Sequence, residues 1–180
     1  MRISGPAVGN FLLFLLLAAI LASLQCSLWL QFFGYFPAPQ LWLTTLAYWS
    51  IYRRPSEALF MVYALTIVAN SLSSIPMSLL LPIDIGVFVV LFGIKRRIFW
   101  SGATYFTLLS FIATIVFPIF HIAISWLFED NPITDPELLD WILSALITAL
   151  ISLPLFQLYQ KLDKLTHKEL PSEAGSTSYE

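Results

Sequence analysis

The sequence predicts an all-α membrane protein, a compact bundle of six transmembrane helices with both termini on the inner side. Three observations predict it. Of the 180 residues, 58% are hydrophobic and 11% charged, with a mean hydropathy of +0.81, far from the composition of an average soluble domain. All nine Lys and Arg residues fall in four short clusters, Arg2, Arg53 with Arg54, Lys95 to Arg97, and Lys161, Lys164 and Lys168, separated by long stretches without a cation. Six passages through a bilayer put every cluster on one side, and cytoplasmic loops collect Lys and Arg. The same threading sends the acidic segment Glu129, Asp130, Asp135, Glu137 and Asp140 to the opposite side. It also forms two aromatic belts, with Trp29, Phe36, Trp126 and Trp141 at the outer boundary and Trp49, Tyr52, Trp100 and Tyr159 at the inner one, the depth that amphipathic rings prefer.

Six spans of about 20 residues use most of the length and leave no room for a folded extramembrane domain. The expected organisation is one polytopic membrane domain, residues 1–165, with helices at about 9–30, 39–52, 57–74, 77–94, 99–127 and 136–160, followed by a disordered cytoplasmic tail, 166–180, that is polar and carries Pro171 and Gly175. Arg2 and the apolar run from Phe11 resemble a secretory leader, but the run continues to Phe33 with no polar stretch after Ala22. An uncleaved first helix is the simpler reading. The net charge of −2 conceals charges sorted by side; the basic inner face suits anionic lipid, and no basic patch of the kind that binds nucleic acid is present.

Helix 1 carries Ala18 and Ala22 one turn apart, small residues that let another helix approach closely. Gly34, Pro37 and Pro39 break the chain before helix 2, which at about 21 Å is shorter than the ~30 Å hydrocarbon core. Arg53-Arg54-Pro55 ends it, and Ser56 with Glu57 suits the opening of helix 3. Helix 3 leaves the membrane at Asn70-Ser71-Leu72-Ser73-Ser74, and helix 4, framed by Pro76 and Pro82, descends to Lys95-Arg96-Arg97. Helix 5 precedes the acidic segment, and Thr134-Asp135-Pro136-Glu137 has the spacing of a capping box with Pro at the first helical position of helix 6. Pro118 and Pro154 fall inside helices 5 and 6.

Few residues suggest chemistry. Asp84 is an intramembrane carboxylate; a helix opening at Pro82 would place it in the first turn, favoured by the dipole, and the other reading has it meeting a partner or an ion at the outer surface. His121 has no second His, Cys or carboxylate at metal-ligand spacing and reads as a group bonded to a neighbouring helix. Ser144, Thr148 and Ser152, with Ala145 and Ala149 alongside, repeat every four residues on helix 6 and suit packing across helices, or a substrate groove. There is no phosphate-cradling glycine loop and no nucleophile paired with a base. No enzymatic activity, cofactor or metal is expected; the products of such a body are its surfaces.

Several segments in order, namely Leu24-Gln25, Pro39-Gln40-Leu41-Trp42, Tyr48-Trp49, Asn70-Ser71-Leu72-Ser73-Ser74 and the basic ends of helices 4 and 6, resemble the bacterial rod shape-determining protein MreD family from about Leu24 to Lys164. The chain departs from that family at Asn70, where an Asp is common, at Pro76-Met77, where a Leu-Gly pair is common, and in lacking glycines early in helix 3. A role that needs a charge at position 70 therefore does not transfer. The resemblance implies a non-enzymatic, multi-pass inner-membrane subunit of the cell-elongation machinery. It would bind the bitopic scaffold MreC and have links to the actin-like MreB and to the glycosyltransferase and transpeptidase that build lateral peptidoglycan. Ala18, Ala22, Asn70, Asp84, Ser144 and Thr148 are then the expected partner-binding residues, with the faces of helices 1 and 6 docking the partner's transmembrane helix. The chain is also similar in length and helix number to the substrate-capture subunits of energy-coupling vitamin or metal-ion transporters, for which Asn70, Ser73, Ser74, Asp84 and His121 are the available pocket lining.

Overall fold

A computed structural model describes residues 5–98, 102–129 and 138–166. Among them the chain is all-helical, and the helices bear out the apolar runs read from the sequence. The first, α1, is continuous over residues 5–33 and joins Gly5–Ser23, a π-helical stretch Leu24–Leu28 and Trp29–Phe33, so it is longer at both ends than expected. The others are α2 (Leu41–Tyr52), α3 (Pro55–Leu72), α4 (Met77–Arg97), α5 (Ala103–Phe128) and α6 (Leu138–Leu165). The proposed cap at 134–137, the acidic residues Asp130, Asp135 and Glu137 and the tail beyond Thr166 lie outside the described residues, whereas Asp140 is in the first turn of α6.

Among the described residues five stretches are long and apolar enough to cross a membrane: Ala7–Leu28 within α1, and α3, α4, α5 and α6. The exception is α2. At 12 residues it extends only about 18 Å. Its residues from Leu41 to Ile51 are all buried, and it touches each of the other five helices. A helix apolar on every side belongs in a core; here the longer helices form a wall around the short one, so its length need not match the bilayer.

Aromatic rings fill the centre. Phe14 stacks on Tyr48 and on Tyr159 at centroid distances of 5.5 Å, and Phe106 and Phe156 close the cluster. Trp49 and Tyr159, expected in an inner belt at the lipid boundary, therefore sit inside the protein, 4% and 0% exposed. Burial of apolar area alone does not favour protein over lipid, so packing and hydrogen bonds must hold such a bundle together.

Local sequence explains the boundaries. Ser23 and Ser27 each donate to the carbonyl four residues back, Ala19 O and Ser23 O, at 2.8 Å. Such back-bonding competes with the helical ladder, and the two serines bracket the start of the π stretch. Extended Arg54 precedes Pro55, the first residue of α3, as a residue before proline should. Gly102 enters α5 with φ 105°, a conformation that costs glycine little. Pro82, Pro118 and Pro154 lie inside helices. The helix α4 begins at Met77, where the expected span of 77–94 puts it, and not at Pro82; Asp84 is thus in its third turn, beyond the reach of the N-terminal dipole.

The ends of the helices sort by charge. Lys95 Nζ donates to Arg53 O at 3.3 Å, and Arg53 pairs with Asp163 between Lys161 and Lys164. Three of the four basic clusters thus gather at one end, the basic end; the turn from Gly34 to Gln40 lies at the other, the far end.

Candidate functional site

The polar residues of the bundle concentrate at the two ends of α2. At the far end, Gln25, carried inward on the π stretch, accepts the Leu41 N–H through Oε1 at 3.0 Å and donates from Nε2 to Gln40 Oε1 at 3.1 Å. The Gln40 N–H donates to Thr148 Oγ1 at 2.9 Å, and the Ser144 hydroxyl donates to Ala38 O at 2.7 Å. The first N–H groups of a helix have no partner within it. For α2 these partners come from α1 and α6 rather than from a cap in its own sequence.

At the basic end Arg53, one residue past α2, sends its guanidinium inward to the Asp163 carboxylate and donates from Nη2 to Asn10 Oδ1 at 3.3 Å. Asn10 Nδ2 donates to Asp163 Oδ1 at 2.9 Å and to Thr166 Oγ1 at 2.6 Å, and the Tyr48 hydroxyl donates to Asp163 Oδ2 at 2.7 Å. The guanidinium also lies over the Trp49 ring, 5.3 Å from its centroid, a favourable position for a cation. One turn deeper, Tyr159 OH bonds the hydroxyls of Thr44 and Thr45 at 2.6 and 2.9 Å. A buried charge needs a partner and hydrogen bonds for its remaining sites, and Asp163 has both. The network ties α1, α2 and α6 together.

Between the far ends of α1 to α5 lies a half-open cavity of ≈ 270 Å³ lined by Gln25, Cys26, Gln40, Ser73 and Ser74 over an apolar floor that includes Ala22, Trp42 and Phe117. Its polar groups are amides, hydroxyls and one thiol, with no charge among them. Of the residues expected to line a pocket, Ser73 and Ser74 do so, and Asn70, Asp84 and His121 do not. Among the described residues no group of three or more His, Cys, Asp and Glu side chains could hold a metal ion.

The expected partner-binding residues turn mostly inward. Ala18 and Ala22 are 0% and 2% exposed and pack in the core of their own chain. Ser144 and Thr148 serve the entry to α2, and Ser152 donates to Thr107 Oγ1 at 3.1 Å, so the hydroxyl face of α6 packs internally. Asp84 is fully buried beside Thr66. Neither the dipole role nor an outward-facing role fits its position. Only Asn70 is partly exposed. The small-residue faces therefore assemble this fold, because close helix approach is as necessary within a chain as between chains.

Asn10 and Asp163 were not singled out from the sequence, and Tyr48 only as part of the Tyr48-Trp49 segment. A signal existed: Ser152, Tyr159 and Asp163 continue the face begun by Ser144 and Thr148, and Asn10 continues the face of Phe14 and Ala18 by one turn toward the N-terminus. Compared with protein-family models, curated proteins and solved structures, the chain matches none.

Proposed function

We propose that this chain is a non-enzymatic subunit of the bacterial cell-elongation machinery, of the MreD kind, crossing the inner membrane six times with both termini in the cytoplasm. It binds an MreC-like bitopic scaffold and helps organise the glycosyltransferase and transpeptidase, with actin-like MreB, that lay down lateral peptidoglycan. The observation that carries this reading is convergence: Leu24-Gln25 meets Pro39-Gln40-Leu41-Trp42 through the Gln25 bonds, and Tyr48-Trp49 meets the basic end of α6 through Asp163. Ser73 and Ser74 share a cavity with Gln25 and Gln40. Segments singled out for their order in sequence are neighbours in space. The gathering of Arg53, Lys95 and Asp163 at one end supports an even number of crossings between the basic clusters.

With the alanine and hydroxyl faces turned inward, a partner helix meets the outward surfaces of the bundle. Photo-crosslinking from exposed positions in native membranes, followed by mass spectrometry, tests the proposal. The scaffold and the elongation enzymes are the expected adducts, and depletion of the chain rounds the cells. Adducts to unrelated proteins together with unchanged cell shape reject it.

The far-end cavity favours a second reading, a substrate-capture subunit of an energy-coupling transporter. Its uncharged lining suits a neutral solute better than a metal ion or a charged vitamin. A small molecule retained through purification, and lost on replacing Gln40 and Ser74, would establish that reading over the first.

A further inference from the structure

We propose that Asp84 and Thr66 form a proton-binding site at the seam of α3 and α4, where Asp84 is held as a neutral carboxylic acid that donates its proton to Thr66. The inference does not depend on the function proposed above. It rests on counting hydrogens. Thr66 Oγ1 lies 2.9 Å from the Val62 carbonyl and 2.6 Å from Asp84 Oδ2, two acceptors for one hydroxyl hydrogen. A helical threonine commonly gives that hydrogen to the carbonyl four residues back. The short contact to Oδ2 then has no hydrogen unless the carboxyl supplies it.

The surroundings point the same way. Asp84 is 0% exposed, and its Oδ1 has no hydrogen-bond partner among the described residues. An ionised carboxylate with one oxygen bare and no countercharge is among the most unfavourable groups to place within a membrane span, whereas the carbonyl oxygen of a neutral acid tolerates isolation far better. Among the described residues no countercharge faces it from the helices packed on α4. On α2 the titratable groups are Tyr48 and Tyr52, whose hydroxyls bond Asp163 and the Gly102 carbonyl. On α3 they are Glu57, in the first turn, and exposed Tyr63. On α5 they are Tyr105, bonded to the Ile98 carbonyl, and His121, beside the Phe117 ring. The cations of α4 itself stand at its C-terminal end, where Lys95 bonds the Arg53 carbonyl. None of these groups pairs with Asp84. The proton neutralises the carboxyl, and both α3 and α4 keep their packing while it is bound.

Infrared spectroscopy of the full chain in lipid nanodiscs at neutral pH tests this. The wild-type protein should show the carbonyl stretch of a protonated carboxylic acid, shifted in heavy water and lost in Asp84→Asn. Thr66→Val, which removes the acceptor but keeps the shape, should shift that band without abolishing it, and this variant locates the band even if Asp84→Asn does not fold. Absence of the band in the wild type overturns the proposal. So does a band that disappears when sodium replaces choline in the buffer, since the ligand would then be a metal cation and the carboxyl ionised.

Discussion

Arg53 and Asp163, 110 residues apart in sequence, pair inside the bundle with side chains 4% and 0% exposed. Arg53 follows α2, the shortest helix, and Asp163 sits in the last turn of α6, so the pair joins two helices far apart in sequence.

Breaking the pair from one side leaves the other charge buried alone. Arg53→Met and Asp163→Asn should each destabilise the protein by roughly 3–5 kcal/mol, whereas the double variant should recover a large part of the loss. Thermal unfolding in detergent, arranged as a double-mutant cycle, measures the coupling. Tyr48→Phe, which removes one bond to Asp163, should cost about 1 kcal/mol.

The far end of α2 depends on borrowed partners. Thr148→Val strands the Gln40 N–H and should cost about 1–3 kcal/mol, while Thr148→Ser keeps the hydroxyl and should stay near wild type. Gln25→Leu, which deprives the Leu41 N–H and Gln40 Oε1 of their partner, should behave like Thr148→Val in the same assay.

Gly86 sets the approach of α4 to α5. A Cβ built there would lie 2.9 Å from the Phe120 ring, too close for ordinary contact. Gly86→Ala should therefore cost roughly 1–3 kcal/mol from overpacking, and adding Phe120→Leu should restore much of it. Unfolding midpoints of the three variants decide the matter.

Ala18→Leu separates internal packing from partner binding. Because Ala18 is 0% exposed within its own chain, enlarging it should lower the unfolding temperature of the purified protein with no partner present. A variant of unchanged stability that loses only the scaffold would return that face to the partner.

Orientation is open to direct labelling. Starting from Cys26→Ser, which removes the single cysteine, Ser74→Cys should react with an impermeant maleimide in intact cells and Arg54→Cys only after the membrane is opened. Both residues are exposed. Labelling of both from the same side would rule out the proposed threading.

The positions of the helices were legible because long apolar runs and clustered cations are strong, independent signals. The shortness of the second helix was legible too, but its central place was not, since an apolar run looks alike whether it faces lipid or protein. The hydroxyl stripe was read as a packing face, with Ser144 and Thr148 also expected to bind a partner; its bonds within the chain fit the packing role, and extending it to Tyr159 and Asp163 would have exposed the basic-end network. The alanine pair in α1 was misassigned because small residues at that spacing serve contacts within one chain and between two equally well. The π stretch left no trace that could be read in advance. Its serines signal competition with the backbone ladder, yet the same serines occur in regular helices.

The borrowed partners of α2 also constrain how the chain is made. Thr148, Ser144 and Asp163 leave the ribosome more than a hundred residues after Gln40, Ala38 and Tyr48 respectively, so during synthesis the short helix waits with open ends and an uncompensated arginine beside it. It cannot settle in the bilayer on the strength of its own length. A nascent chain stopped before α6 therefore displays open ends of α2 to whatever proteolytic surveillance the membrane has, and arrival of α6 is the event that closes them.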